Sequence, residues 1–173
     1  MNQGRRRWLA IGVGTGAALG GAGLAWHQWN ATGADAAGEL WSMRFDKPEG
    51  GQLVMANFHG NPLLINFWAT WCVPCIRELP ALQRFQREYG TRGWQVLALA
   101  VDAPVPVLEF IARFKLDLTV AMAGIGGMEL LRSLGNSQGA LPFSVAIDAS
   151  GRIRHRRLGE SKYEELASWA YSL

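Results

Sequence analysis

Residues 63–68, Leu63-Leu64-Ile65-Asn66-Phe67-Trp68, form a nearly continuous apolar run opened by Asn61-Pro62. An apolar run of this length without alternation is the signature of a strand buried on both faces, which requires cover on each side. A second such run spans 94–101. Between them Leu79, Leu82 and Phe85 recur at helical spacing, with Arg84, Arg87 and Glu88 on the other side, and Gly90 and Gly93 end the pattern after Tyr89. Further on, 107–114 reads as a helix entered after Pro104 and Pro106, 119–122 as a short strand and 128–134 as a helix behind Gly126-Gly127. Strands at 143–147 and 153–158 flank the turn Ala149-Ser150-Gly151, and a helix closes the chain at 162–171. Upstream, Trp41, Met43 and Phe45 alternate with polar residues and predict a strand, with 53–58 returning as its hairpin partner. The order of elements argues an α/β sandwich with a central mixed sheet flanked by helices, preceded by an N-terminal β-hairpin extension.

A chain of 173 residues holds one domain and a short appendage. Its hydrophobic fraction of 49% excludes wholesale disorder. The formal charge of +3 invites a polyanion partner, but Arg5, Arg6 and Arg7 account for it. Beyond residue 36 the chain carries 14 basic and 13 acidic side chains, a net of +1, and the case for nucleic acid is gone. The basic stretch Arg152, Arg154, Arg156 and Arg157 with His155 reads as a solvated, edge-protecting strand.

The arginines have another use. They precede an uncharged, glycine-rich run of 18 residues from Trp8 to Ala25, at the lower limit for crossing a bilayer. Trp8, Trp26 and Trp29 sit where interfacial aromatic residues anchor such a segment. Residues 1–29 therefore read as an export signal or membrane anchor, 30–39 as a linker and 40–173 as the folded domain. The Arg-Arg pair resembles a twin-arginine export signal, and Ala34-Asp35-Ala36 offers a small-x-small cleavage site. An uncleaved anchor and a cleaved signal both stay open. Either way the arginines stay in the cytoplasm and the domain lies outside.

The chain has two cysteines, both within the window Cys72-Val73-Pro74-Cys75. A stapled scaffold spreads its cysteines; a pair this close cross-links nothing at long range and is present for reactivity or for a ligand. Only a thiolate attacks. Cys72 falls at the start of the helix running to Tyr89, where unpaired N–H groups favour an anion. Pro74 suits the first turn, where its missing donor costs nothing. The spacing lets the pair close a small disulfide. Cys72 is expected to be exposed and to attack; Cys75, lying deeper, resolves the mixed disulfide. Glu78, one turn beyond Cys75, is placed to take its proton. Asn66, in the strand beneath, reads as a structural hydrogen-bonding residue. Leu141-Pro142 precedes the strand at 143–147, a position a proline tolerates.

These residues carry a resemblance. Asn66-Phe67-Trp68-Ala69-Thr70-Trp71-Cys72-Val73-Pro74-Cys75 with Glu78-Leu79-Pro80, and Leu141 to Asp148 followed by Gly151-Arg152-Ile153, resemble the TlpA/ResA branch of the thioredoxin superfamily over residues 40–173. The resemblance implies a thioredoxin-like fold and a periplasmic-side, often membrane-anchored thiol reductase. Such proteins act on protein thiols and disulfides such as apocytochrome c, are recharged by a membrane thiol transporter, and use the disulfide itself in place of a cofactor. It implies Cys72 as nucleophile, Cys75 as resolver, Glu78 as acid/base and Pro142 as a cis-proline, with Trp71, Pro74, Leu141 and Pro142 facing substrate. Phe143-Ser144 departs from the family pattern of a small polar residue followed by Thr. Two other chemistries compete: Cu(I) held by both thiolates, and a thiol peroxidase. The first lacks a His or Met close behind the pair; the second wants a Thr or Ser at position 69, which is Ala69.

Overall fold

The computed structural model describes residues 38–124 and 126–173. The expected anchor or signal over 1–29 lies outside the described residues, as does most of the linker. Among the described residues no helix is long and apolar enough to cross a membrane.

A small hairpin of β1 (Arg44–Asp46) and β2 (Gln52–Val54) leads into the main sheet. That sheet holds β3 (Leu63–Trp68), β4 (Gln95–Ala100), β5 (Thr119–Met122), β6 (Phe143–Ile147) and β7 (Ile153–Leu158) in the order β5-β4-β3-β6-β7. β4 and β5 run parallel to β3, while β6 and β7 add antiparallel pairs, so the sheet is mixed as expected. The helices are α1 (Val73–Tyr89), α2 (Pro104–Phe114), α3 (Gly127–Ser133) and α4 (Tyr163–Ser172). Pro104 and Pro106 fall in the first turn of α2, where a missing N–H is harmless, so the helix starts three residues before the predicted point.

All six residues of β3 are buried, as its apolar run demands. They divide strictly by face, because alternate strand residues point to opposite sides. Leu64 and Trp68 join the cluster with Leu79, Leu82 and Phe85 of α1, Val107 and Phe110 of α2, and Leu166 and Trp169 of α4. Leu63, Ile65 and Phe67 pack on the other side against Leu130 and Leu131 of α3, Phe45 and Leu53 of the hairpin, and Leu40. Each fully buried side chain of this size contributes about 2 kcal/mol. The hairpin is thus part of the second cover and not an ornament.

The start of the hairpin differs from expectation. Residues 38–42 are helical, and the first strand begins at Arg44. Leu40 and Trp41 both pack into the same cluster, which neighbouring residues of a strand cannot do. The turn is closed by Ser42 Oγ donating to the Glu39 carbonyl at 2.7 Å and Met43 N–H donating to that of Leu40 at 3.1 Å. The returning strand likewise ends at Val54, because Met55 and Phe58 are buried together by a 3₁₀ turn over Met55–Phe58.

Candidate active site

The site lies at the C-terminal end of β3. The parallel partner β4 ends at the same edge, and Asp102 behind it ties the two loops together. Its Oδ2 accepts from Thr70 N–H at 2.8 Å and Thr70 Oγ1 at 2.6 Å, and its Oδ1 accepts from Ala103 N–H at 2.7 Å. The segment between β3 and α1 is thereby held from below as it turns into the helix.

Cys72 is the residue that caps α1. Its backbone is extended, and its Sγ accepts from Cys75 N–H at 3.3 Å. A sulfur in that position sits against the unpaired donors of the first turn, which stabilise negative charge. Cys72 and Cys75 are joined in a disulfide, with Cα atoms 5.2 Å apart. Cys75 is fully buried and Cys72 is 6% exposed. The depth order is the expected one, but Cys72 is not the exposed residue the sequence suggested. Its neighbours Trp71 and Val73, 67% and 62% exposed, stand out instead, and both cysteines belong to the core cluster. Pro74 is half-buried in the first turn.

Glu78 is 1% exposed. Burial, opposed by the Ser161 N–H and the Asn66 amide, pushes its carboxyl up to about 7. The carboxylate is held at both oxygens: Asn66 Nδ2 donates to Oε1 and Ser161 N–H to Oε2, each at 2.6 Å. Asn66 Nδ2 also donates to Ser144 Oγ at 3.0 Å, and the hydroxyls of Ser144 and Ser161 lie 3.3 Å apart. Four residues from β3, α1, β6 and the entry to α4 thus close a buried polar ring, with Ser161 contributing its backbone N–H as well as its hydroxyl. Such a group titrates in the neutral range, where an acid/base residue is most useful.

Leu141 and Pro142 enter β6 through a cis peptide bond. Phe143 then pairs with Phe67, which brings this entry to the same sheet edge as the cysteines. Pro142 is buried and its carbonyl accepts from Gly159 N–H at 2.9 Å. Leu141 is half-buried and packs against both core clusters. The loop before it is pinned by Asn136, whose Nδ2 donates to the Ala140 carbonyl at 2.8 Å.

Ser144, Ser161 and Asp102 are functional residues that sequence motifs alone do not single out. Ser144 had a signal, as the one polar residue in the apolar strand Phe143–Ile147 and the register partner of Asn66. Asp102 also had one, as an acid between a strand and a Pro-led helix. Ser161 contributes chiefly its backbone N–H, which nearly any residue carries.

Comparison with known proteins agrees with this geometry. The Redoxin family model matches residues 42–172. The thiol-disulfide oxidoreductase ResA of Bacillus cereus is 30% identical over 122 residues, covering 70% of this chain and 68% of that protein. Among solved structures, a thiol:disulfide interchange protein of the thioredoxin family from Chlorobium tepidum is similar with a TM-score of 0.66 and 26% identity, over 76% of this chain and 92% of that one. StoA of Bacillus subtilis, at 24% identity, shares the fold with a TM-score of 0.61 over 73% and 94% of the two chains. With its mixed sheet and its cysteine pair capping the first long helix, the chain has the thioredoxin-like fold, belongs to the redoxin family and is a thiol-disulfide oxidoreductase of the ResA type.

Proposed function

We propose that this chain is an extracytoplasmic protein-disulfide reductase, exported or tethered by residues 1–29, acting on protein disulfides such as those of apocytochrome c. The observation that carries the reading is the pairing of a helix-capping Cys72 with a buried carboxyl, Glu78, one turn beyond Cys75. In the dithiol state Cys72 attacks as thiolate. Its sulfur bonds to one substrate sulfur, the substrate disulfide breaks, and the other substrate sulfur leaves as thiolate. Cys75 then gives its proton to Glu78 and attacks the Cys72 sulfur. The Cys72–Cys75 disulfide re-forms, the second substrate thiolate departs, and two electrons have passed to substrate. The disulfide is the whole redox centre, without a further cofactor. Trp71, Pro74 and Leu141 form the face that meets the polypeptide, and the buried Pro142 sets the backbone of Leu141 behind it.

The arginines ahead of the uncharged run support an outside location for the domain. There a membrane thiol transporter supplies reductant, and protein thiols and disulfides are the partners. The test combines two measurements. The reduced chain is mixed with a protein disulfide and turnover followed, and its reduction potential is measured. Efficient reduction with a potential near that of known reductants is expected; a potential as high as that of a strong oxidant such as DsbA, about −120 mV, overturns the reductase direction.

A further inference from the structure

One buried polar atom at the site is not used by this mechanism. Asn66 is fully buried, and among the described residues its Oδ1 has no hydrogen-bond partner. A buried acceptor left unpaired bears the full cost of its lost hydration, a strong bias toward having a donor in some state of the cycle. While Glu78 is ionised it only accepts, and this sets the orientation of the amide: Nδ2 faces Glu78 Oε1 at 2.6 Å and gives its second proton to Ser144 Oγ at 3.0 Å. Oδ1 is therefore turned away from both.

What it faces follows from the two elements. Asn66 lies between Leu64 and Trp68 on the sheet face whose cluster contains both cysteines. Cys75 and Glu78 are three apart on α1 and share a helix face. Glu78 touches Asn66, so Cys75, fully buried, comes down on the same patch of β3. In the disulfide the Cys75 sulfur has no proton to give. Reduction breaks the S–S bond, adds two electrons and two protons, and leaves a donor on Cys75 where none existed.

We propose that Asn66 is a positioning residue for the resolving thiol, its Oδ1 accepting the Cys75 S–H in the dithiol state. The amide then holds the sulfur with its oxygen and the proton acceptor Glu78 with its nitrogen. It keeps Cys75 protonated until Cys72 is engaged in a mixed disulfide. The proposal rests on the pair cycling between disulfide and dithiol.

The test uses the S–H stretching band in the infrared. The chain has two cysteines, so Cys72→Ser leaves Cys75 as the single thiol. Its band is expected below the frequency of an unbonded thiol and should move up to that frequency in Cys72→Ser/Asn66→Leu. A band already at the unbonded position in Cys72→Ser overturns the proposal. Asn66→Leu also removes two buried hydrogen bonds, so a second readout uses the unsubstituted chain. The Asn66 ¹³Cγ resonance should move downfield when dithiothreitol reduces the protein, and an unchanged resonance counts against the assignment. A disulfide that dithiothreitol cannot open sinks the oxidoreductase reading itself, whereas a reducible pair with a free S–H sinks this proposal alone.

Discussion

The backbone N–H of Ser161 donates to Glu78 Oε2 at 2.6 Å, across 83 residues of sequence. The acid beside the cysteine pair is therefore held by the entry to the last helix. Its titration is a property of the whole fold and not of α1 alone.

Glu78 should make stability fall with rising pH. Burial raises its pKa from the ordinary 4.5 to about 7. Below 4.5 it is protonated folded and unfolded, and the fold has its full stability. As pH climbs toward about 7 the unfolded chain ionises first, and about 3 kcal/mol is lost. Glu78→Gln should flatten this slope in denaturant titrations at about pH 5 and pH 8. It should also slow resolution of the mixed disulfide on the order of a hundredfold and change the pH profile of thiol alkylation. Superimposable profiles would leave Glu78 a purely structural acid.

The two cysteines should fail in different ways. Cys72→Ser is expected to abolish reduction of insulin disulfides. Cys75→Ala keeps the attacking sulfur but lacks the resolver, so mixed disulfides with substrate should accumulate and be visible on non-reducing gels. Wild-type turnover in Cys72→Ser would refute the assignment.

Asp148 should dominate the acid limb. Burial raises its pKa, but bonds from the Ser150 side chain, the Arg152 backbone and the Arg154 and Arg152 side chains outweigh that and hold it at about 2. Its contribution, about 2 kcal/mol, is complete above the ordinary 3.8 and is lost as pH falls through about 2. Asp148→Asn should cost that amount at neutral pH and remove the same amount from the acid slope, read by thermal unfolding from about pH 6 down to pH 2.

Asp102→Ala should loosen the active-site loop without dismantling the sheet. It removes three hydrogen bonds, to Thr70 N–H, Thr70 Oγ1 and Ala103 N–H. The expected cost is about 2 kcal/mol. Hydrogen exchange should show the Thr70 amide losing protection while the amides of β3 and β4 keep theirs. Unchanged exchange at Thr70 would mean the loop is held by something else.

How much of this the sequence disclosed depended on the kind of signal. β3, β4 and β6 are legible because strands buried on both faces leave nearly unbroken apolar runs. The cysteine pair and Glu78 were legible because their spacing is that of one and two helical turns. The first strand was misplaced because Trp41, Met43 and Phe45 alternate correctly while Leu40, the residue that decides for a helical turn, reads as neutral. Asn66, a lone amide in an apolar strand, signals a structural hydrogen bonder, which it is; that its partner is Glu78 is a fact of packing between β3 and α1. Ser161 was invisible, since a backbone N–H has no letter of its own.

Both cysteine sulfurs of the chain are spent on a single bond. One molecule therefore stores one electron pair and has no second cysteine pair to which it can pass those electrons internally. Every charge and every discharge has to be a collision with another molecule. Traffic through this protein then scales with its encounters with donor and acceptor, and its abundance sets the number of electron pairs in transit at any moment.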